Sequence, residues 1–252
     1  MKGKQCLAPS IESAAHRVAG ATPGYRPPAR LLNHNPPMLK LHYFPGNASL
    51  APHALLEEIG VAYELVLVDR ARQAHKSARY LELNPNGLIP VLEDGALVLY
   101  ETAAICLHLA DRHPQAALAP ALGSAQRAHF YKWLVWLTNT LQARLIHYFY
   151  SERLVDANDF AAAAQVKVHA EADVGTMLDQ LDAELARHGQ PWLLGASYSA
   201  VDPYALMLGR WTRGFKRPAR SLPHLGPYLQ RVLARPALQR VFEQEALGDP
   251  KV

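Results

Sequence analysis

Hydrophobic and polar positions alternate over residues 39–44 (LKLHYF), the period of a half-buried strand. Pro45-Gly46-Asn47 turns the chain. Ser49 can then cap a helix that runs through Leu55, Leu56 and Ile59 and stops at Gly60. Residues 61–68 read as a second strand, parallel to the first because a helix joins the two. A polar connection follows, with Arg70, Arg72, Gln73, His75 and Lys76, and then a short helix over 77–83. Asn84-Pro85-Asn86-Gly87 is a cluster of turn residues. Residues 89–93 and 96–100 form a predicted hairpin about Asp94-Gly95. Pro90 cannot donate to a sheet ladder, which places it at a strand's start or edge, with Ile89-Pro90 a candidate cis peptide. A cis bond there leaves the Ile89 amide and carbonyl free to pair with an extended ligand. Glu101-Thr102 opens an apolar helix, with Thr102 suited to its N-cap and an anion site in the amides behind it.

After a linker over 113–123 the pattern is helical to the end. Residues 124–150 are aromatic-rich, and 159–188 carry Val174, Met177, Leu178, Leu181 and Leu185 at steps of three and four. Ser199-Ala200-Val201-Asp202 has the form of a capping box. The order βαβ, ββα, then helices alone, predicts an α/β domain followed by an all-α domain.

Charge and composition narrow the classes. Residues 1–37 hold Lys2, Lys4, Arg17, Arg26 and Arg30 against Glu12, and the other 215 residues balance 21 basic with 21 acidic side chains. A neutral folded part argues against a nucleic-acid partner. The prolines at 9, 23, 27, 28, 36 and 37, with no sustained period, predict a disordered or non-native extension; a transit peptide or an over-extended start ahead of Met38 are the alternatives. No apolar run reaches membrane-spanning length. Cys6 and Cys106 provide neither a disulfide framework nor a metal cluster, so a reducing, cytoplasmic setting and no metal are expected. Cys106 lies among apolar helix residues and reads as an inert buried thiol.

The motifs NPNGLIPVL, the hairpin and ETAAI, together with LHYFPGNASLAPHALLEEIG upstream, resemble the cytosolic glutathione S-transferases, the bacterial beta class most of all. The resemblance implies a thioredoxin-like glutathione-binding domain over 38–119 and a helical-bundle domain over 124–247. It also implies a homodimer, and a reaction that joins the glutathione thiolate to a small hydrophobic electrophile. It assigns Glu101 to the ligand ammonium, Thr102 and its amide to the γ-glutamyl carboxylate, and Ile89 with Pro90 to the cysteinyl backbone. Gln73, His75 or Lys76 meets the glycyl carboxylate or is simply solvated. The beta-class cysteine is replaced by Ala48, which excludes a mixed disulfide with the enzyme at that position.

The remaining candidates for stabilising the thiolate are the Ser49 hydroxyl, ranked first, then the Asn47 amide and the local backbone N–H groups. The alternative for Ser49 is a helix cap alone, and His53 reads as a surface or packing residue. On the second domain's first helix only one face can look at the cleft, and His147 is out of register with the histidine the class often places there. Glutathione-dependent peroxidase, dehalogenase or isomerase reactions, and a non-catalytic binding module of the same fold, remain as alternative functions.

Overall fold

The computed structural model describes residues 38–252, and the expectations for the first 37 residues lie outside that range. Strand β1 (Leu39–Tyr43) leads through helix α1 (Leu50–Ile59) to β2 (Tyr63–Leu67), which pairs parallel to β1 with Leu41 opposite Leu65. Helix α2 (Ala78–Leu83) follows, capped by Ser77, whose hydroxyl accepts the Tyr80 amide. Strands β3 (Val91–Asp94) and β4 (Leu97–Tyr100) complete a four-stranded sheet in the order β2-β1-β3-β4. Asp94 pairs with Leu97, so the hairpin turn is Gly95-Ala96, one residue beyond the predicted Asp94-Gly95. Gly95, at φ 63°, supplies the positive torsion that the first position of such a turn requires. The Ile89-Pro90 peptide is cis and Pro90 immediately precedes β3, as expected.

Helix α3 (Thr102–Arg112) ends the first half. The predicted long helix after Ser124 is α4 (Ala125–Trp136), a π-helical stretch (Leu137–Gln142) and α5 (Ala143–Phe149). Then come α6 (Phe160–His188), capped by Asp159 and ending at a left-handed Gly189, α7 (Val201–Trp211), α8 (Leu225–Leu233) and α9 (Pro236–Gln244). One apolar core runs through both halves, from Leu41 and Leu55 to Ile105, Leu178, Leu206 and Leu229. Within it α1 packs against α3, α7 and α9, and every residue from Leu50 to Leu56 is buried. Cys106 is also fully buried, and burial pushes its thiol far above the usual range. No helix among the described residues is long and apolar enough to cross a membrane.

The capping-box carboxylate of Asp202 is buried at the heart of the helical half. It accepts the amides of Leu193 at 3.0 Å and Ser199 at 2.7 Å, and the Tyr228 hydroxyl at 2.8 Å. Only half of the box forms, because the Asp202 amide goes to the Ser199 carbonyl and not to its hydroxyl. Burial pushes the Asp202 carboxyl up to about 6 against the pull of these donors. The folded value lies above the unfolded value of about 3.9. The stabilising contribution of this proton is therefore full below about pH 4 and lost as pH rises through about 6. An Asp202→Asn variant has no such titration. The stability of the wild type relative to that variant should fall by about 2 kcal/mol between pH 4 and pH 7.5, measured by urea unfolding at several pH values. A constant difference would show that the three donors hold the carboxylate charged throughout.

Candidate functional site

Strand register brings the sequence candidates to one end of the sheet. His42 pairs with Val91, and Val91 in turn with Tyr100. The turn after β1, the Ile89-Pro90 step before β3 and Glu101 after β4 therefore emerge side by side. The Val68 amide donates to the Tyr43 carbonyl at 2.9 Å, which carries the polar connection after β2 to the same end. Thr102, at the start of α3, donates its hydroxyl to the Ala48 carbonyl at 3.3 Å and ties the starts of α1 and α3 together. Thr102 was expected to cap α3. Glu101 holds that position, and the Thr102 hydroxyl points across to the neighbouring helix start.

Glu101 is the one non-glycine residue of this end held far from ordinary backbone geometry beyond a simple left-handed turn, at φ 74° and ψ 115°. Such a conformation costs about 1–3 kcal/mol and persists where the surroundings impose it. Its side chain is exposed and makes no bond to its own helix. Among the described residues, neither the amide nor the carbonyl of Ile89 has a backbone partner. The adjacent Leu88 carbonyl is held by the Tyr80 hydroxyl and the Asn84 amide, both at 2.8 Å, which fixes the loop while leaving Ile89 open.

The connection after β2 forms the wall of an open depression of about 540 Å³ lined by Phe44, Arg70, Ala71, Gln73, His75 and Lys76. Gln73 is exposed and left-handed at φ 53°. His75 is half-buried, with a buried Nδ1 that lacks a partner, and burial together with Lys76 and Arg70 holds its pKa below the ordinary value. Lys76 Nζ donates to the Asn86 carbonyl at 3.2 Å. Arg70 was read only as part of a polar run. Its guanidinium lies 5.7 Å from the Phe44 ring centre and donates to the Tyr150 hydroxyl at 2.8 Å, joining the two halves of the chain across this depression.

At the start of α1 the expectation for Ser49 is revised. The residue is fully buried, and its hydroxyl donates to the Phe44 carbonyl at 3.1 Å while accepting the Phe44 amide at 3.2 Å. It neither caps α1 nor faces the open end, because five residues of chain fold back on it. Asn47 remains half-exposed, and its Oδ1 accepts the Ala48 amide at 2.7 Å. Since that contact needs an oxygen, the Asn47 NH₂ group is the end of the amide left for a ligand.

His53 is not a surface residue but fully buried, with Nδ1 2.8 Å from Glu245 Oε1 and Nε2 2.7 Å from Gln244 Oε1. Aromatic side chains of the helical half flank this end. Trp211 Nε1 donates to the Gly46 carbonyl at 3.1 Å, and the Phe149 ring lies 6.2 Å from that of Trp211. His147 sits against Arg144, with 3.3 Å between Nδ1 and the guanidinium. No motif marks Trp211, Tyr150 or Glu245; only folding brings them to the site. Among the described residues no group of His, Cys, Asp and Glu gathers to hold a metal ion.

A four-stranded sheet whose ligand-facing end carries a cis-proline loop, followed by a bundle of helices, is the architecture of the glutathione transferases. Comparison bears this out. The family described as "Glutathione S-transferase, N-terminal domain" matches residues 37–111, and "Glutathione S-transferase, C-terminal domain" matches 138–236. Glutathione S-transferase 3 of Zea mays is 32% identical over 229 residues, 84% of this chain and 96% of that protein. A glutathione transferase homologue from Sulfitobacter, solved with bound glutathione, superposes with a TM-score of 0.76 at 25% identity over 83% of this chain and 99% of the other. The beta-class enzyme of Sphingomonas chungbukensis gives 0.72 at 30% identity over 83% and 100%. The chain belongs to the glutathione S-transferase family.

The buried bridge at Ser49 makes its own prediction. Ser49→Ala leaves the Phe44 amide without its partner, while the Phe44 carbonyl keeps the Asn47 main-chain N–H, and should cost about 1–3 kcal/mol of unfolding free energy. Chemical denaturation checks this, and an unchanged midpoint would mean that water or a shifted turn replaces the hydroxyl.

Proposed function

We propose that this protein binds glutathione at the common end of the sheet and conjugates its thiolate to small apolar electrophiles. The observation that carries the reading is the convergence, at one sheet end, of an exposed carboxylate on a strained backbone, an unpaired main-chain step and a basic depression. Glutathione has the complementary order of groups: an ammonium with its carboxylate, a peptide and a terminal carboxylate. Glu101 takes the ammonium, and Thr102 with its amide takes the neighbouring carboxylate. The open amide and carbonyl of Ile89, beside Pro90, pair with the cysteinyl unit. Gln73, His75 and Lys76, with Arg70, receive the glycyl end. The bound glutathione of the Sulfitobacter homologue supports the same ligand here.

With Ala48 in place of a thiol and Ser49 committed to Phe44, the donor for the glutathione sulfur is the Asn47 amide, aided by the start of α1. Each unit by which the thiol pKa falls requires about 1.4 kcal/mol of preferential stabilisation of the anion. Catalysis consists of that stabilisation and of positioning. The electrophile lies against Phe149, Tyr150 and Trp211, which adjoin the turn that carries Asn47. A cytoplasmic homodimer completes the reading, and exposed Leu97 and Val98 on β4 with Val135 on α4 offer apolar surface for a second copy.

Glu101→Ala should weaken glutathione binding by about 1.5–3 kcal/mol, the worth of a charged hydrogen bond. An unchanged dissociation constant by calorimetry would place the ligand elsewhere. Asn47→Ala should raise the pKa of the bound thiol and slow conjugation of a chromogenic electrophile near neutral pH, with partial recovery at alkaline pH. A variant that binds glutathione and shows an unshifted pH–rate profile would leave the backbone amides as the donors. Light scattering at micromolar concentration should give twice the monomer mass, and a monomer would remove the dimer from this proposal.

A further inference from the structure

The turn that carries Asn47 is held from behind by residues 165 and 199 positions away from Gly46. Gly46, at φ 66°, has both main-chain groups bonded to side chains of the helical half. Its amide donates to Glu245 Oε2 at 2.7 Å, and its carbonyl accepts from Trp211 Nε1 at 3.1 Å. The other oxygen of Glu245 meets His53 Nδ1 at 2.8 Å, one turn further along α1. The side chains of Glu245 and His53 are both wholly excluded from solvent. A Cβ added at Gly46 would meet Leu247 at 3.4 Å and the Arg210 guanidinium at 3.9 Å, ordinary contact distances, so the φ of 66° and not crowding is what favours glycine there.

From this geometry we infer that Glu245 and Trp211 are positioning residues for the thiolate-stabilising turn. They fix the peptide planes on either side of Gly46 and thereby aim the Asn47 amide and the first amides of α1. The inference rests on the proposed glutathione chemistry and extends it to residues that do not touch the ligand. The arrangement is directional. Two opposed hydrogen bonds on a single residue prevent its peptide units from rotating, whereas one bond alone leaves a hinge. A buried carboxylate shared between a loop amide and a helix histidine also makes the turn and α1 move as one body. The groups that face this carboxylate are His53 and Gly46 by direct bonds, with Tyr43 and Arg210 close enough to feel its charge. Neighbouring Arg240 bonds Glu57 at 2.5 Å on the exposed side of the same domain junction and makes no hydrogen bond to Gly46.

The test is titration of the thiolate absorbance of glutathione bound to wild type, Trp211→Phe, Glu245→Ala and Arg240→Gln, with steady-state kinetics on the same samples. Trp211→Phe keeps the ring and removes only the donor, so it carries the test even where Glu245→Ala does not fold. In Trp211→Phe, and in folded Glu245→Ala, the bound-thiol pKa should rise by about one unit, a tenfold loss of thiolate near neutral pH. kcat should fall in step while KM for glutathione stays within about twofold, since the ends of the peptide are held by other residues. Arg240→Gln should leave the titration unmoved, which separates aiming of the turn from general loosening of the junction. Variants that bind glutathione and titrate with the wild type overturn the inference alone. An Arg240→Gln shift equal to that of Trp211→Phe overturns it too. A wild type that binds no glutathione overturns the functional reading and this inference with it.

Discussion

A helix buried on every side must have each polar group it carries satisfied by some other element, and α1 is such a helix. Its first turns are buried, and the helix packs against α3, α7 and α9. Its histidine reaches a carboxylate from the end of the chain, and its leading serine bonds the strand residue that precedes the turn. Removing one partner costs about 1–3 kcal/mol for a buried neutral hydrogen bond and about 3–5 kcal/mol for a buried ion pair, because the survivor stays buried. The start of α1 therefore cannot relax independently of the helical half. The orientation of everything it presents at the sheet end is set by both halves of the chain together.

The opposite regime holds at Glu101. Its backbone occupies a costly region, yet its side chain meets no partner in its own helix. The sheet imposes the strain: β4 must end where Tyr100 pairs with Val91, and α3 must begin at Thr102, whose hydroxyl is anchored to Ala48. One residue has to reverse the chain between those two fixed points. The reversal turns a carboxylate outward beside the free edge of Ile89. The fold thus spends stability on placing a charge where a cationic ligand group can meet it.

What could be read from the sequence divides along range. Strand order and helix starts were legible because their causes lie within a few residues: helices begin just after Ser77 and Asp159 as expected, and Pro90 stands before its strand as a missing donor requires, whereas the caps expected at Ser49 and Thr102 do not form. The hairpin turn slipped by one residue because Gly95 can fill either central position, and only the pairing of Asp94 with Leu97 decides. Ser49 was misread because a hydroxyl at a helix start has two local choices, and burial against Phe44 selects the one that capping statistics do not count. His53 was read as a surface or packing residue, and the choice between the two has a longer-range cause. Its environment is made by Glu245 and Gln244, and no local pattern connects an ordinary PH dipeptide to a carboxylate 192 residues downstream.

The loss of the cysteine at position 48 gives this asymmetry a consequence. A thiol carries its own reactivity, and its pKa tolerates a degree of looseness in the backbone around it. In the proposed reaction an alanine would contribute nothing, so the burden of stabilising an external thiolate would pass to dipoles, whose effect falls steeply with distance and misalignment. Dipoles are useful in proportion to how rigidly they are aimed. Around Ala48 most main-chain groups are committed: the Asn47 main-chain N–H to Phe44, the Ala48 N–H to Asn47 Oδ1, the Ala48 carbonyl to Thr102, and both groups of Gly46 to the helical half. The Asn47 NH₂ and the Ser49 main-chain N–H are the donors here without a partner among the described residues, and they stand on a turn braced from behind. A site without a reactive side chain is, on these grounds, one in which the distant residues that lock the turn bear on the chemistry as directly as the residue that would touch the sulfur.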